Sequence, residues 1–133
     1  TSEVTAKGGV HGHVTAEGGA LDIDIFAASG VRDDEHTKTN PEQLFAAAYA
    51  ACLDATMHHI AEAKQIKLDG AEVKAKVRAL QVEKGDLRFA LDLNVFLPEV
   101  PRDKAEKLLE EAYANCPISK ATDGKLDINV NLQ

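Results

Sequence analysis

Tryptophan is absent from this sequence of 133 residues, and two Tyr and four Phe supply all of its aromatic rings. Proteins that bind single-stranded nucleic acid stack the bases on aromatic side chains, so no base-stacking surface is expected. The net charge is −7, and the sequence contains no run of basic residues. Nucleic acid and anionic membrane surfaces both attract positive charge. We therefore expect neither as a partner.

Long apolar runs are also missing, and no stretch resembles a signal peptide or a transmembrane segment. The chain has only two cysteines. Without a secretion signal, we expect a reducing, cytoplasmic compartment, where a cysteine pair is more often redox-active or metal-binding than a structural staple. No phosphate-binding loop, serine-hydrolase elbow or zinc-protease helix occurs. The length predicts a single domain over residues 1–133.

A long helix is predicted over residues 41–64. Asn40 can cap the free N–H groups at its start, Pro41 suits the first helical position, and Glu42 lies near the positive end of the helix dipole. No charged residue occurs between residues 44 and 53, so we expect this helix to be buried on most sides. Cys52 lies inside the apolar run, and a thiol in such surroundings is typically an inert core residue.

Alternation of apolar and polar residues predicts the strands. Hairpins are expected over residues 10–16 with 20–26 and over residues 72–82 with 87–97, the latter with a bulge near Ala79. A second helix is expected over residues 102–114, a helical turn over 117–122 and a last strand over 125–132. Residues 3–7 are interpreted as a frayed lead-in, and residues 27–38 as a loop. The order ββ-α-ββ-α-β predicts an α+β fold with a largely antiparallel sheet.

Two groups of residues are candidates for chemistry. Cys116 precedes a proline and can lie at the start of a helical turn, where the helix dipole and free N–H groups lower the pKa of a thiol. The sequence does not show whether Cys52 and Cys116 meet or are unrelated. The five histidines (His11, His13, His36, His58 and His59) suggest a zinc or copper site only if a third ligand and supporting contacts exist; the alternative is a solvated surface.

Two segments resemble a known family. TNPEQLFAAAYAAC, residues 39–52, closely resembles the active-site helix of the OsmC/Ohr hydroperoxide reductases, and NCPISKAT, residues 115–122, resembles their second cysteine motif. The order of strands and helices is similar as well, so the resemblance covers nearly the whole chain. It implies an α+β fold with a long central buried helix, in an intertwined homodimer with active sites at the subunit interface.

The resemblance also implies a thiol peroxidase that uses no metal and no other cofactor. Cys52 matches the peroxidatic cysteine, Cys116 the resolving cysteine, and Glu42 the glutamate that orients an active-site arginine. A thiolate at Cys52 would give a sulfenic acid and an alcohol, Cys116 would condense with the sulfenic acid to a disulfide, and an external dithiol would reduce it. The reductant that we expect first is a lipoyl-carrying protein.

The position of the arginine differs from the family pattern. In the Ohr branch an arginine follows a Gly-Gly pair, whereas here Gly8-Gly9 is followed by Val10. In the OsmC branch the arginine lies in the loop before the Asn-Pro-Glu motif, and Arg32 has a similar placement. We therefore assign the arginine role to Arg32, with His11 or His13 as a weaker substitute.

The expected substrate is an organic hydroperoxide with an alkyl or lipid tail, in preference to hydrogen peroxide. Phe45, Tyr49 and Met57 are candidate substrate-binding residues around Cys52, although the same residues would also suit a plain core. Two other functions remain open: a redox-sensing or small-ligand-binding module on the same fold, and a histidine-based metal site.

Overall fold

The chain folds into two units, residues 1–44 and residues 45–133, each of which contains its own three-stranded sheet. The structure is a computed structural model that describes residues 1–27 and 37–133. Arg32 and His36 therefore lie outside the described residues. The α+β class and the predicted succession of strands and helices are confirmed, with one strand added before them. A single domain over residues 1–133 stays a prediction.

The first unit contains an antiparallel sheet in the order β1-β2-β3. Its strands are β1 (Val4–Lys7), β2 (His11–Ala16) and β3 (Asp22–Phe26). The predicted hairpin is confirmed as β2 with β3. The frayed lead-in is wrong, because β1 pairs with β2 along its length. All four of its side chains are exposed, so no apolar alternation marks it, and its backbone hydrogen bonds alone make it a strand.

The second unit contains a sheet in the order β4-β5-β6. Strand β4 (Glu72–Glu83) is antiparallel to β5 (Asp86–Phe96), and β6 (Asp127–Leu132) lies parallel to β5 on the other side. The predicted second hairpin and last strand are therefore confirmed.

The predicted bulge near Ala79 is wrong, because Ala79 pairs regularly with Phe89 and the register shifts only between Gln81 and Glu83. The apolar residues of β4 switch from odd-numbered to even-numbered positions for another reason. The end of the hairpin leaves the core, so that Leu80 is 40% and Val82 57% exposed.

Three helices belong to the described chain: α1 (Pro41–Ala63), α2 (Arg102–Asn115) and α3 (Pro117–Thr122). Asn40 caps α1 as predicted, since its Oδ1 accepts a hydrogen bond of 2.7 Å from the Gln43 N–H. The limits of α2 and α3 agree closely with the prediction. Within the described residues, no helix is both long and apolar enough to cross a bilayer.

The core of the second unit lies between α1, α2 and β5. One side of α1 contributes residues at helical spacing, and strand β5 contributes alternate residues, all of them essentially inaccessible to solvent: Tyr49, Leu53, Met57, Ala61, Leu91, Leu93 and Val95. Each large apolar side chain that is buried here contributes about 1.5–3 kcal/mol. This core fixes the orientation of α1, and with it the position of Cys52.

A second face of α1 consists of small residues that the single chain leaves exposed. Ala47, Ala48, Ala51 and Ala55 all lie on the surface. The chain by itself thus buries one stripe of α1 rather than most of its circumference.

Candidate functional site

The two cysteines of the chain lie side by side. Cys52 is in the middle of α1, Cys116 lies directly before α3, and their Sγ atoms are 3.3 Å apart. Both are free thiols. A disulfide bond is about 2.05 Å long, so an approach of roughly 1.3 Å would join them. The pair is therefore positioned for thiol–disulfide chemistry within one chain.

The two sulfurs differ in their access to solvent. Cys116 is fully buried and belongs to the core, whereas Cys52 is only half-buried. A groove of about 510 Å³ opens beside Cys52. Its walls come from one face of α1 and from the junction of α2 with α3, and they include Cys52, Thr56, His59, Ile60, Asn115 and Pro117. A molecule that enters this groove meets the sulfur of Cys52.

The surroundings of Cys52 favour its protonated form. Burial raises the pKa of the Cys52 thiol, and the neighbouring Cys116 sulfur raises it further, while the Ile118 N–H only partly offsets them. Desolvation disfavours the charged form of any thiol. The largest of these influences come from neutral groups in the described part of the chain. None of the groups that shift the pKa of Cys52 most is a cation, and a cation beside this sulfur would lower the pKa.

The surroundings of Cys116 have the opposite effect. Burial raises the pKa of this thiol too, but the Ser119 N–H, the Cys52 thiol, the Ser119 hydroxyl and the Ile118 N–H outweigh it and hold the pKa below its ordinary value. In the reduced pair, the Cys116 side chain forms no capping hydrogen bond with the backbone of α3. These donors nevertheless lie close enough to stabilise a charge on the sulfur. Of the two thiols, Cys116 therefore has its pKa lowered and Cys52 has its pKa raised.

A buried pair of hydroxyls lies behind Cys116. The Tyr49 hydroxyl and Ser119 Oγ are 2.7 Å apart, and both side chains are shielded from solvent. Ser119 lies three residues after Cys116, in the first turn of α3. The hydrogen bond therefore joins α1 to α3 beside the sulfur pair.

The structure places the predicted substrate-binding residues in or beside the core. Tyr49 and Met57 are fully buried on the core side of α1 and do not line the groove. The reason is helical spacing, since both project from the stripe that packs on β5. Phe45 is half-buried, and its ring lies 5.7 Å from that of Phe89.

The remaining predicted residues are spread over the chain. Glu42 lies half-buried in the first turn of α1, and its predicted partner, Arg32, is outside the described residues. The ring of His11 lies 5.2 Å from that of Phe26, and His58 Nδ1 is 2.9 Å from the Asp54 carbonyl oxygen. Among the described residues, no group of three His, Cys, Asp or Glu is arranged to hold a metal ion.

His13 lies between two carboxylates. Its Nδ1 is 2.6 Å from Asp24 Oδ1, and its Nε2 contacts Asp22 Oδ1. These hydrogen bonds raise the pKa of His13 above its ordinary value, Asp24 contributing most. Both ring nitrogens can donate only in the imidazolium form, so the contact favours a charged His13.

Neither Thr56 nor Ser119 was predicted from the sequence as a site residue, and His59 was considered only as a possible metal ligand. Thr56, His59 and Ile60 follow Cys52 at spacings of four, seven and eight residues, which place them on the same face of a helix. That periodicity was a usable signal for the groove. Ser119 carried no comparable signal, because its importance depends on contact with Tyr49, which only the folded chain brings about.

Comparisons with known proteins agree with this geometry. The OsmC family model, described as OsmC-like protein, matches residues 33–131. The organic hydroperoxide resistance protein OhrB of Bacillus subtilis (strain 168) is 39% identical over 134 residues, which cover 100% of this chain and 97% of that protein. The organic hydroperoxide resistance protein OhrA of the same strain is 35% identical over 134 residues, covering 99% and 94%.

The crystal structure of Bacillus subtilis OhrB superimposes on this chain with a TM-score of 0.89 at 38% sequence identity, covering 100% of this chain and 98% of that one. Sequence, fold and the paired cysteine segments thus lead to one assignment: the chain belongs to the OsmC-like protein family.

Proposed function

We propose that this protein is a cysteine-based peroxidase that reduces organic hydroperoxides to alcohols. The observation that carries the proposal is the contact of 3.3 Å between one sulfur that faces a groove and a second that is buried behind it. Such a pair can react with a substrate and form an internal disulfide, which an external thiol can then reduce. The names of the relatives, organic hydroperoxide resistance proteins, support the same class of substrate.

The reaction proceeds in three balanced steps. The Cys52 thiolate attacks the outer oxygen of the hydroperoxide and breaks the O–O bond, so that the alcohol leaves and Cys52 becomes a sulfenic acid. The Cys116 sulfur then attacks the Cys52 sulfur, forming the disulfide and releasing water. An external dithiol finally reduces the disulfide by two exchange steps and is itself oxidised. We propose a lipoyl-carrying protein as the source of this dithiol.

The first step requires a cation beside Cys52, because burial raises the pKa of this thiol. We propose that Arg32 provides it and that Glu42 orients Arg32. A guanidinium would stabilise the thiolate and donate hydrogen bonds to a peroxide oxygen. A carboxylate can hold a guanidinium through two parallel hydrogen bonds, which is the role proposed for Glu42.

The lining of the groove supports a substrate with an apolar tail. Ala55, Ile60 and Pro117 present carbon surface next to Cys52. Transfer of apolar surface from water contributes about 25 cal/mol for each Å² that is buried. Hydrogen peroxide has no such surface, and we therefore propose a preference for alkyl and lipid hydroperoxides.

The proposal is tested by following consumption of cumene hydroperoxide in the presence of dithiothreitol. Cys52→Ser should abolish turnover, because the other cysteine, Cys116, is fully buried and does not line the groove. Cys116→Ser should retain the first oxidation and form a sulfenic acid that dimedone traps. Thr122→Ala, which removes a hydroxyl that donates to the Ile118 carbonyl oxygen, is the matched control and should turn over normally. Full activity of Cys52→Ser would refute the proposal.

A redox sensor is the second candidate, because the same sulfur contact of 3.3 Å allows a single oxidation to a disulfide. A sensor would undergo one stoichiometric oxidation to the Cys52–Cys116 disulfide without rapid turnover. Single oxidation by cumene hydroperoxide, with no catalytic consumption under any dithiol, would support this function and reject the enzyme.

We further propose that two copies of the chain associate through the alanine face of α1. Ala47, Ala48, Ala51 and Ala55 are exposed in the single chain, and Ala55 also lines the groove. Small side chains let two helices approach closely, and a second copy would cover apolar surface that otherwise faces water. Sedimentation equilibrium should show a dimer that Ala51→Glu dissociates; a monomeric parent chain would refute this proposal.

A further inference from the structure

The buried hydroxyl pair is not used by the proposed chemistry at Cys52. Tyr49 and Ser119 are almost entirely shielded from solvent, and their hydroxyl groups form a short contact of 2.7 Å. A pair of neutral hydroxyls in a core can be replaced by apolar groups at little cost in stability. Because this pair lies beside the Cys116 sulfur, we expect it to influence the chemistry of that thiol rather than the stability of the fold.

Either hydroxyl can donate in the contact between Tyr49 and Ser119. Each hydroxyl carries a single proton. When Tyr49 donates to Ser119 Oγ, the Ser119 proton is left free to point elsewhere. The Cys116 sulfur is the group nearby that gains from it, since the Ser119 hydroxyl is among the groups that lower the pKa of this thiol. In this arrangement the Tyr49 hydroxyl orients Ser119 as a donor toward Cys116, the residue that directly precedes α3.

A donor at Cys116 matters most when the disulfide is reduced. An incoming thiolate attacks one sulfur and the other leaves, and the sulfur with the lower thiol pKa leaves faster. The access of an external thiol to the two sulfurs also favours attack on Cys52, because Cys52 lines the groove while Cys116 is fully buried. An external thiol therefore reaches Cys52 and expels Cys116.

We propose that the Tyr49–Ser119 hydroxyl pair positions a hydrogen-bond donor at Cys116, so that Cys116 is the leaving thiolate and the external dithiol forms its mixed disulfide with Cys52. The inference rests on the disulfide cycle proposed above. The attacking thiolate forms a bond to the Cys52 sulfur while the bond between Cys52 and Cys116 breaks. The second thiol of the reductant then closes its own disulfide and releases Cys52, and the two protons of the dithiol pass to the protein thiols.

The first experiment isolates Cys116 and requires no peroxide. In a Cys52→Ser background, the absorbance of the thiolate near 240 nm is followed as a function of pH. The other titratable groups that face the sulfur are Tyr49 on α1 and Tyr113 on α2, whose own pKa is raised, chiefly by burial. The raised pKa of Tyr113 keeps its ionisation above that of a thiol with a lowered pKa, so these two transitions separate.

The expected result is a graded shift. Ser119→Ala should raise the pKa of Cys116 by about one unit, since a hydrogen bond to a charged group is lost. Tyr49→Phe should raise it by roughly half as much, because it acts through Ser119. Ser119→Thr keeps a hydroxyl and should restore the parent value. Thr122→Ala, the matched control in the same short helix, should titrate like the parent.

The second experiment identifies the sulfur that the reductant attacks. The oxidised protein is mixed briefly with glutathione, quenched with acid and alkylated, and the peptides are analysed by mass spectrometry. Glutathione should be found on Cys52. In the same two-cysteine protein, Ser119→Ala should slow reduction by dithiothreitol about three- to tenfold, as expected for a poorer leaving thiol.

Two results would overturn the inference. One is a Cys116 titration that Ser119→Ala and Tyr49→Phe leave unchanged, or that Thr122→Ala shifts as strongly; the other is glutathione attached to Cys116. Circular dichroism spectra that match the parent will show that a variant has folded. Because neither measurement uses a hydroperoxide, loss of peroxidase activity would reject the proposed function without deciding this inference.

Discussion

Oxidation of the cysteine pair should stabilise the folded chain by an amount that the structure allows us to bound. Cys52 and Cys116 are 64 positions apart in the sequence, so their disulfide closes a loop of about 65 residues. The chain-entropy relation for cross-links assigns such a loop about 4 kcal/mol at 25 °C. This value is an upper limit, because it neglects everything that the folded state loses on oxidation.

Two losses lower this limit. The sulfurs must approach by roughly 1.3 Å from their contact distance of 3.3 Å to reach bonding distance, and Cys116 is fully buried in the core, so neighbouring side chains must move with it. Oxidation also removes the hydrogen bond between the two thiols, and a hydrogen bond within a protein contributes about 0.5–1.5 kcal/mol. We therefore expect a net gain of about 1–3 kcal/mol.

Urea unfolding of the oxidised and the reduced protein, at one pH and one protein concentration, measures this gain. The oxidised protein should unfold at higher urea, with a smaller denaturant slope because its unfolded state is more compact. Cys116→Ser cannot form the bond and should show no difference after the two treatments. An oxidised form that is less stable than the reduced form would refute the reasoning, since the sulfurs would then not be packed for bonding.

Three further outcomes follow from single contacts. Leu53→Ala should lower the free energy of unfolding by about 3–4 kcal/mol in urea, because a fully buried side chain is removed from the core. Asn40→Ala should cost about 1 kcal/mol in the same assay, since the capping bond to the Gln43 N–H is lost; no loss would show that water replaces the cap. His13 has a folded pKa above its ordinary value of 6.5, chiefly through Asp24, so its contribution to stability is complete below about pH 6.5 and disappears as the pH rises through the folded pKa. His13→Gln should therefore lower the melting temperature at pH 5.5 more than at pH 8.5, and an equal loss at both would contradict the charged contact.

Local patterns were sufficient to predict most of the fold. The alternation in β5 and the stripe on α2 report burial directly, because one buried face imposes its period on the sequence. The same logic fails for β1, whose four side chains are all exposed. It also misplaced the bulge, because Leu80 is where the hairpin leaves the core, whereas the register shifts only between Gln81 and Glu83.

The site was predictable only in part. The identities of Cys52 and Cys116 came from motifs, but their contact results from packing between elements far apart in the sequence, which no local period encodes. Tyr49 is a second example of a contact that the sequence does not encode locally. Its apolar context left a substrate pocket and a plain core both open, and only the structure places its ring in the core and its hydroxyl 2.7 Å from Ser119 Oγ.

The opposite behaviour of the two thiols follows from their positions in helices. Cys116 immediately precedes α3, and Pro117 has no N–H, so the first free backbone donors are those of Ile118 and Ser119, on the side where the side chain of the capping residue lies. Cys52 lies within α1, where the backbone N–H groups are used by the helix itself.

A helix interior therefore offers Cys52 no charge stabilisation, and the described residues around it supply only neutral donors. We therefore expect peroxidase activity near pH 7 to depend on the cation proposed at Arg32. Arg32→Gln should shift the pH dependence of kcat/KM for cumene hydroperoxide upward by one unit or more, as expected when a neighbouring charge is lost. Arg32→Lys keeps the charge and should recover part of the shift. An unchanged profile in both variants would mean that Cys52 is ionised by another group.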